Sequence, residues 1–121
     1  MTPRFRAWNS ETKEIEVFNT YEEISELFSA LSADDGFYSI MQSTGLFDKN
    51  GKEIFEGDIL KNNKYITSVF YEKGAYCVKF RRTTNTTVIM NVISFIEKYK
   101  TKVIGNIYEN PEFVKDKEVD N

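Results

Sequence analysis

The stretch MQSTGLFDKNGKEIFEGDIL, Met41 to Leu60, decides how the rest of the chain reads. It holds three of the chain's six glycines, Gly45, Gly51 and Gly57, spaced six apart. Asn50-Gly51 is a strong hairpin signal, because both central residues of a two-residue type I′ turn need positive φ. Leu46 and Phe47 precede that turn, and Ile54 and Phe55 come after it. Gly57-Asp58 breaks the chain again before Ile59 and Leu60. One short segment thus folds back on itself and launches the C-terminal half of the chain.

Upstream, residues 4–8, RFRAW, alternate polar and apolar as a half-buried strand does, and 13–18, KEIEVF, resume the alternation after a turn at Asn9-Ser10. The pattern predicts a hairpin. Thr20 and Glu23 form a capping box, each side chain placed to meet the other's backbone amide. Ile24, Leu27, Phe28 and Leu31 then fall at i, i+3, i+4 and i+7, one apolar stripe. A helix is expected over Tyr21 to Ala33, stopped by Asp34-Asp35-Gly36. Phe37 to Ser43 reads as the strand that feeds the central hairpin.

Downstream, Tyr65 to Tyr71, YITSVFY, reads as one strand. Ala75 to Phe80 and Thr86 to Met90 read as two more, with turns at 72–74 and 81–85. Asn91 is placed to cap a second helix, with Val92, Phe95, Ile96 and Tyr99 on one face. Lys102 to Tyr108 closes as a strand interrupted by Gly105, and Pro111 ends regular structure. No βαβ alternation is present, which argues against a parallel sheet.

These elements predict an α+β, mainly β fold. Residues 1–57 are expected to form a subdomain of hairpin, helix and strand, and residues 58–113 a small SH3-like antiparallel barrel. Residues 114–121 are expected to be a disordered tail, since KDKEVDN carries charge and no apolar partner.

Composition narrows the chemistry. The 121 residues contain no histidine and a single cysteine, Cys77. The commonest general base and the commonest metal ligand are missing, so a zinc site of the usual ligand set is excluded. A lone cysteine fits a reducing cytosol. No apolar run approaches the roughly 18 residues of a membrane span, and MTPRFRAWNS has no signal-peptide core.

The net charge of −3 hides an asymmetry. Residues 1–60 hold five Lys or Arg against twelve Asp or Glu, a net −7. Residues 61–102 hold nine against two, a net +7, and residues 103–121 come to −3. Such asymmetry marks either a polyanion-binding face or two lobes that attract one another.

Three motifs resemble the YopX family of phage and prophage proteins: FRAW (Phe5 to Trp8), the central MQSTGLFDKNGKEIFEGDIL, and IGNIYENPE near the end. They touch both ends and the middle of the chain. The resemblance implies a small cytosolic phage-type protein with a mixed, mainly β fold. It carries over no catalytic residues. Its shared residues look like turn and strand chemistry: glycines at positive φ, Asp48 and Asp58 as turn caps, Trp8 as core.

Each candidate chemistry has a plainer alternative. Asp48-x-Asn50-Gly51 has a glycine at loop position 4, where an EF-hand needs it at 6, so a hairpin turn explains it better than calcium. Glu53, Glu56 and Asp58 have no visible partner base or nucleophile, and solvated turn acids are commoner than a catalytic trio. Thr83 to Thr87, beside Arg81-Arg82, can contact phosphates or simply form a polar turn. Tyr65, Phe70, Tyr71, Tyr76 and Phe80 interleave with lysines, the ingredients of single-strand nucleic-acid binding, although alternation sends about half of them into the core.

The expected protein is therefore not an enzyme and needs no cofactor or metal. The first reading is an interaction module for an unknown host or phage protein, or a self-associating homo-oligomer. The alternative is a nucleic-acid-binding barrel whose contacts come from Lys79, Arg81, Arg82, Lys98, Lys100 and Lys102.

Overall fold

A computed structural model of the chain describes residues 4–33 and 36–114, with the backbone alone at 30–33. The tail at 115–121 and the helix stop at Asp34-Asp35 lie outside the described residues. Among the described residues the fold is mainly antiparallel β, with the helices α1 (Tyr21–Ala33) and α2 (Val92–Lys98). The chain divides into two compact units, Met1–Ser43 and Thr44–Asn121.

The first unit opens with β1 (Phe5–Asn9) and β2 (Glu14–Phe18), the expected hairpin. Asn9 builds its turn: the side-chain oxygen accepts from the amides of Glu11 and Thr12, and its carbonyl accepts from Lys13 at 2.7 Å. Lys13 takes a left-handed φ of 60° to close it. α1 (Tyr21–Ala33) comes next, and its capping box forms as read. The Glu23 amide donates to Thr20 Oγ1 at 3.1 Å and the Thr20 amide to Glu23 Oε1 at 3.1 Å.

The stripe of α1 is only partly buried. Leu27 is 2% exposed, but Phe28 is 46% exposed and meets Phe5 edge-on at 5.8 Å. The side chain of Leu31 lies outside the described residues. β3 (Tyr38–Phe47) then pairs antiparallel with β1 from Asn9↔Tyr38 to Phe5↔Gln42. Ala7 and Met41 are buried here, whereas Trp8, expected in the core, is half-buried.

The second unit begins inside β3, not at the expected 57/58 boundary. Thr44 Oγ1 donates to the Ile54 carbonyl at 2.7 Å and accepts from the Leu46 amide at 3.1 Å. The first bond ties the end of β3 to β4 (Glu53–Phe55), and Ile54 is fully buried in the second unit's core. The central hairpin thus belongs with the strands C-terminal to it. Further on come β5 (Asp58–Lys61), β6 (Ile66–Ser68), β7 (Phe70–Glu72), β8 (Ala75–Thr83), β9 (Thr86–Asn91), α2 (Val92–Lys98) and β10 (Lys102–Asn106). They pair as two three-stranded antiparallel sheets, β10-β5-β6 and β7-β8-β9, curled as a half-barrel around one core of Ile54, Leu60, Val69, Val78, Phe80, Val92 and Phe95.

Several expectations need local correction. The hairpin loop at Asp48–Lys52 has three residues: the Asp48 amide donates to the Lys52 carbonyl and the Gly51 amide to the Asp48 carbonyl. Gly51 has the positive φ expected, 82°, but Asn50 does not share it. This is a turn closed by one left-handed glycine, not type I′. The two-residue loop with both φ values positive is Lys73-Gly74, at 50° and 86°, between Glu72 and Ala75.

The single strand read over Tyr65 to Tyr71 bends at Val69 into β6 and β7, passing from one sheet to the other. At the bend the Val69 amide donates to the Asp58 carbonyl and the Gly57 amide to the Val69 carbonyl. Asn91 precedes α2 but makes no side-chain cap; its Oδ1 instead lies 3.7 Å from the Cys77 thiol. Pro111 opens a further helical turn, and Val114, expected in the tail, is 5% exposed.

Candidate functional site

β6 and the turn before it face the β8–β9 hairpin across an open cleft of about 1080 Å³ in the second unit. The two walls are joined by one side chain. Thr67 Oγ1 donates to the Lys79 carbonyl at 2.7 Å and accepts from the Lys79 amide at 3.3 Å, standing in for a pair of ladder bonds between β6 and β8. A buried threonine at that point holds the walls at a fixed separation.

The described lining is one-sided in charge. Lys64, Lys79, Arg81 and Arg82 border the cleft with Thr67, Ser68, Thr83, Thr84 and Thr87, and among the described residues no Asp or Glu lines it. All four cations are exposed. Half-buried Tyr65 and Phe70 supply aromatic surface, and Tyr65 is braced against Phe80 at a ring separation of 4.3 Å.

Strict alternation would send Arg81 and Arg82 to opposite faces of β8. The register is irregular there. Arg81 pairs with Thr87 and Thr83 with Thr86, so one extra residue, Arg82, is inserted in β8. Such a β-bulge re-aims side chains, and here both arginines line the cleft. Lys79 and Arg81 sit two apart on one strand and share a face, as expected. Lys64 is not marked by the sequence pattern. Its position depends on the Asn62 side chain, whose oxygen accepts from the amides of Lys64 and Tyr65, both at 2.9 Å, and curls the turn toward β8.

The other three candidates do not join. Lys98, in the last turn of α2, lies over the Tyr99 ring at 5.7 Å. Lys100 lies just past the helix. Lys102 stands on β10 directly opposite Lys61 of β5. None of the three lines the cleft. Tyr71 and Tyr76 pair with each other at 5.0 Å outside it, and Phe80 is core.

Two carboxylates of the central stretch, those of Asp48 and Asp58, are occupied by backbone amides. Asp48 Oδ1 accepts from the amides of Asn50 and Lys52 at 2.8 Å each, and Oδ2 accepts from Val103 at 2.9 Å. Burial opposes its charge, but these three amides and the Lys52 ammonium outweigh it and hold the carboxyl below its ordinary range. Asp58, 1% exposed, accepts from the Phe55 amide at 2.8 Å. Both act as turn caps. Among the described residues no three His, Cys, Asp or Glu gather in a group that could hold a metal ion. Among those residues, too, no helix is long and apolar enough to cross a membrane.

The family model described as YopX protein matches residues 4–115. A crystal structure of protein EF1440 from Enterococcus faecalis is 30% identical over 93% of this chain and 97% of that one, with a TM-score of 0.57. No curated protein matches the chain.

Proposed function

The chain belongs to the YopX protein family, and on that footing we propose that it is a non-catalytic, phage-type protein of the bacterial cytoplasm whose SH3-like second unit binds single-stranded nucleic acid. One observation carries this reading: among the described residues the cleft gathers four cations and the hydroxyls of four threonines and a serine, with no acid on its lining. In a chain of net charge −3, that segregation gives a local field suited to a polyanion. Arg81 and Arg82 suit bidentate contacts to phosphate oxygens, and Lys64 and Lys79 serve as point charges on the backbone track. The exposed hydroxyls of Thr83, Thr84 and Thr87 suit donation to phosphate or sugar oxygens, whereas that of Thr67 is committed to the Lys79 carbonyl. Tyr65 and Phe70 offer rings to unstacked bases, which a duplex keeps stacked away from the protein.

The test is a fluorescence anisotropy titration of labelled single- and double-stranded oligonucleotides at low and moderate salt. Wild type should prefer the single strand and lose affinity steeply as salt rises, by counterion release. The Arg81→Glu, Arg82→Glu variant should bind at least about tenfold more weakly at low salt, with the log–log salt slope reduced by about 1–2. No binding at low salt, or binding unaffected by the double reversal, would defeat the proposal. The protein-interaction reading would then stand. It draws on the exposed apolar side chains Tyr21, Phe47, Tyr71 and Ile89.

A further inference from the structure

We propose that β9 is a dimerisation edge, pairing antiparallel with β9 of a second copy of this chain about a twofold axis at Ile89. The pairing would merge two β7-β8-β9 sheets into one of six strands. It rests on the sheet edges and owes nothing to nucleic-acid binding.

An edge strand presents unpaired backbone donors and acceptors, and proteins blunt such edges with charge, proline, bulges or brevity. The edges here are β2, β4, β6, β7, β9 and β10. β2 carries Glu14 and Glu16, β10 carries Lys102 and a register shift at Gly105, and β4, β6 and β7 are three residues each. β9 has none of these guards. It is six residues, TTVIMN, with no charge and no proline, and among the described residues it pairs with β8 alone. The bulge of that hairpin lies in β8, which leaves the free side of β9 regular. Four of its six residues are exposed, and Ile89 at its centre is 54% exposed.

A second copy fits this edge better than an arbitrary strand. Residues opposite one another in an antiparallel pair share a face, so a self-pairing must match like parity. Centring on Ile89 sets Ile89 against Ile89, Thr87 against Asn91 and Val88 against Met90. This joins apolar to apolar and polar to polar on both faces. The turn at 84–85 and the start of α2 at Val92 bound the paired span at either end. The nearest like charges are the two copies of Lys79, each beside its own Ile89 on β8. Three strand spacings, about 14 Å, would separate them, beyond the Debye length of about 8 Å at physiological salt. Lys79 and Arg81 share the face of Ile89 and Thr87, so both copies of that basic row would lie on one side of the joined sheet.

The experiment is sedimentation equilibrium on the full chain from low to high micromolar concentration, with cross-linking of single-cysteine variants made in a Cys77→Ser background. Wild type should pass from protomer to twice its mass. Ile89→Lys should stay at protomer mass while keeping the wild-type far-UV circular dichroism. Ile89→Cys should give a reducible dimer on mild oxidation, and Tyr71→Cys on the opposite edge should not. The proposal is overturned by a wild type that stays at protomer mass throughout, or by an Ile89→Lys protein that still doubles its mass. Cross-linking no faster at Ile89→Cys than at Tyr71→Cys would overturn it as well.

Discussion

Asp48 Oδ2 accepts a hydrogen bond from the backbone amide of Val103, 2.9 Å away and 55 residues later in the chain. The same carboxylate caps the loop of the central hairpin through Asn50 and Lys52. One buried side chain therefore sets the loop and fastens it to β10. A second tie runs close by: the Ile107 amide donates to the Gly57 carbonyl at 2.9 Å. The second-unit part of the central stretch and the C-terminal segment 103–107 are thus joined by hydrogen bonds.

Asp48→Asn should lower stability by about 1–3 kcal/mol near neutral pH, because a charged acceptor to three amides becomes a neutral one with a single acceptor oxygen. The loss should depend on pH. The folded carboxyl lies below its unfolded value of about 3.9, so its contribution is whole above that value and is lost as pH falls through the folded pKa. Urea unfolding of both proteins from neutral pH into acid should show their difference shrinking below about pH 4. A constant difference would refute this.

Gly51→Val should cost about 1–2 kcal/mol, since a β-branched residue resists the left-handed φ of 82°. At the other loop the sign reverses. Lys73 sits at φ 50° ahead of Gly74, where asparagine is favoured. Lys73→Asn should stabilise by a few tenths of a kcal/mol to about 1. Thermal melts of the two variants should move in opposite directions.

Gly105→Ala fails for a different reason. The φ of Gly105 is not in the left-handed region, but an added Cβ would run into the Asn110 side chain. That side chain accepts from the Asn106 amide at 3.3 Å and so is not free to swing away. The expected cost is about 1–3 kcal/mol by overpacking. Asn110→Ser in the same chain should recover part of it, a coupling that a double-mutant cycle measures.

Leu27→Ala should cost about 2–5 kcal/mol, the range for a buried leucine truncated in a packed core. Phe28→Ala, at a half-exposed position, should cost less, which denaturant midpoints at an unchanged slope would show.

The bounds of α1 are legible in the sequence because its signals are local: a capping box at one end and a stripe of period 3.6 between. The glycine positions are legible too, since positive φ leaves few alternatives. Which glycine sits in which turn is not. Asn50-Gly51 resembles a type I′ turn, but Asp48 accepts from Asn50 and Lys52 and draws the loop out to three residues. Lys73-Gly74 carries a less typical pair and is the two-residue turn. The candidate site is half visible. Charge and alternation point to Lys79, Arg81 and Arg82, but no local pattern marks the bulge at Arg82. Lys64 arrives through the bend at Val69 and the Asn62 turn, both set by hydrogen bonds beyond the reach of alternation. Lys98, Lys100 and Lys102 share the sign of charge and not the place, because charge totals along a chain are blind to how sheets curl.

The most direct test of the basic cleft as a nucleic-acid site is amide chemical-shift mapping of the isotope-labelled chain with an added oligothymidylate at low salt. The largest shifts should fall at 64–68 and 79–87, on the two walls joined by Thr67 and Lys79, and should fade as salt is raised, with 98–102 little changed. Shifts absent at low salt, or gathered on β10 and the end of α2 while the cleft walls stay still, would contradict the account.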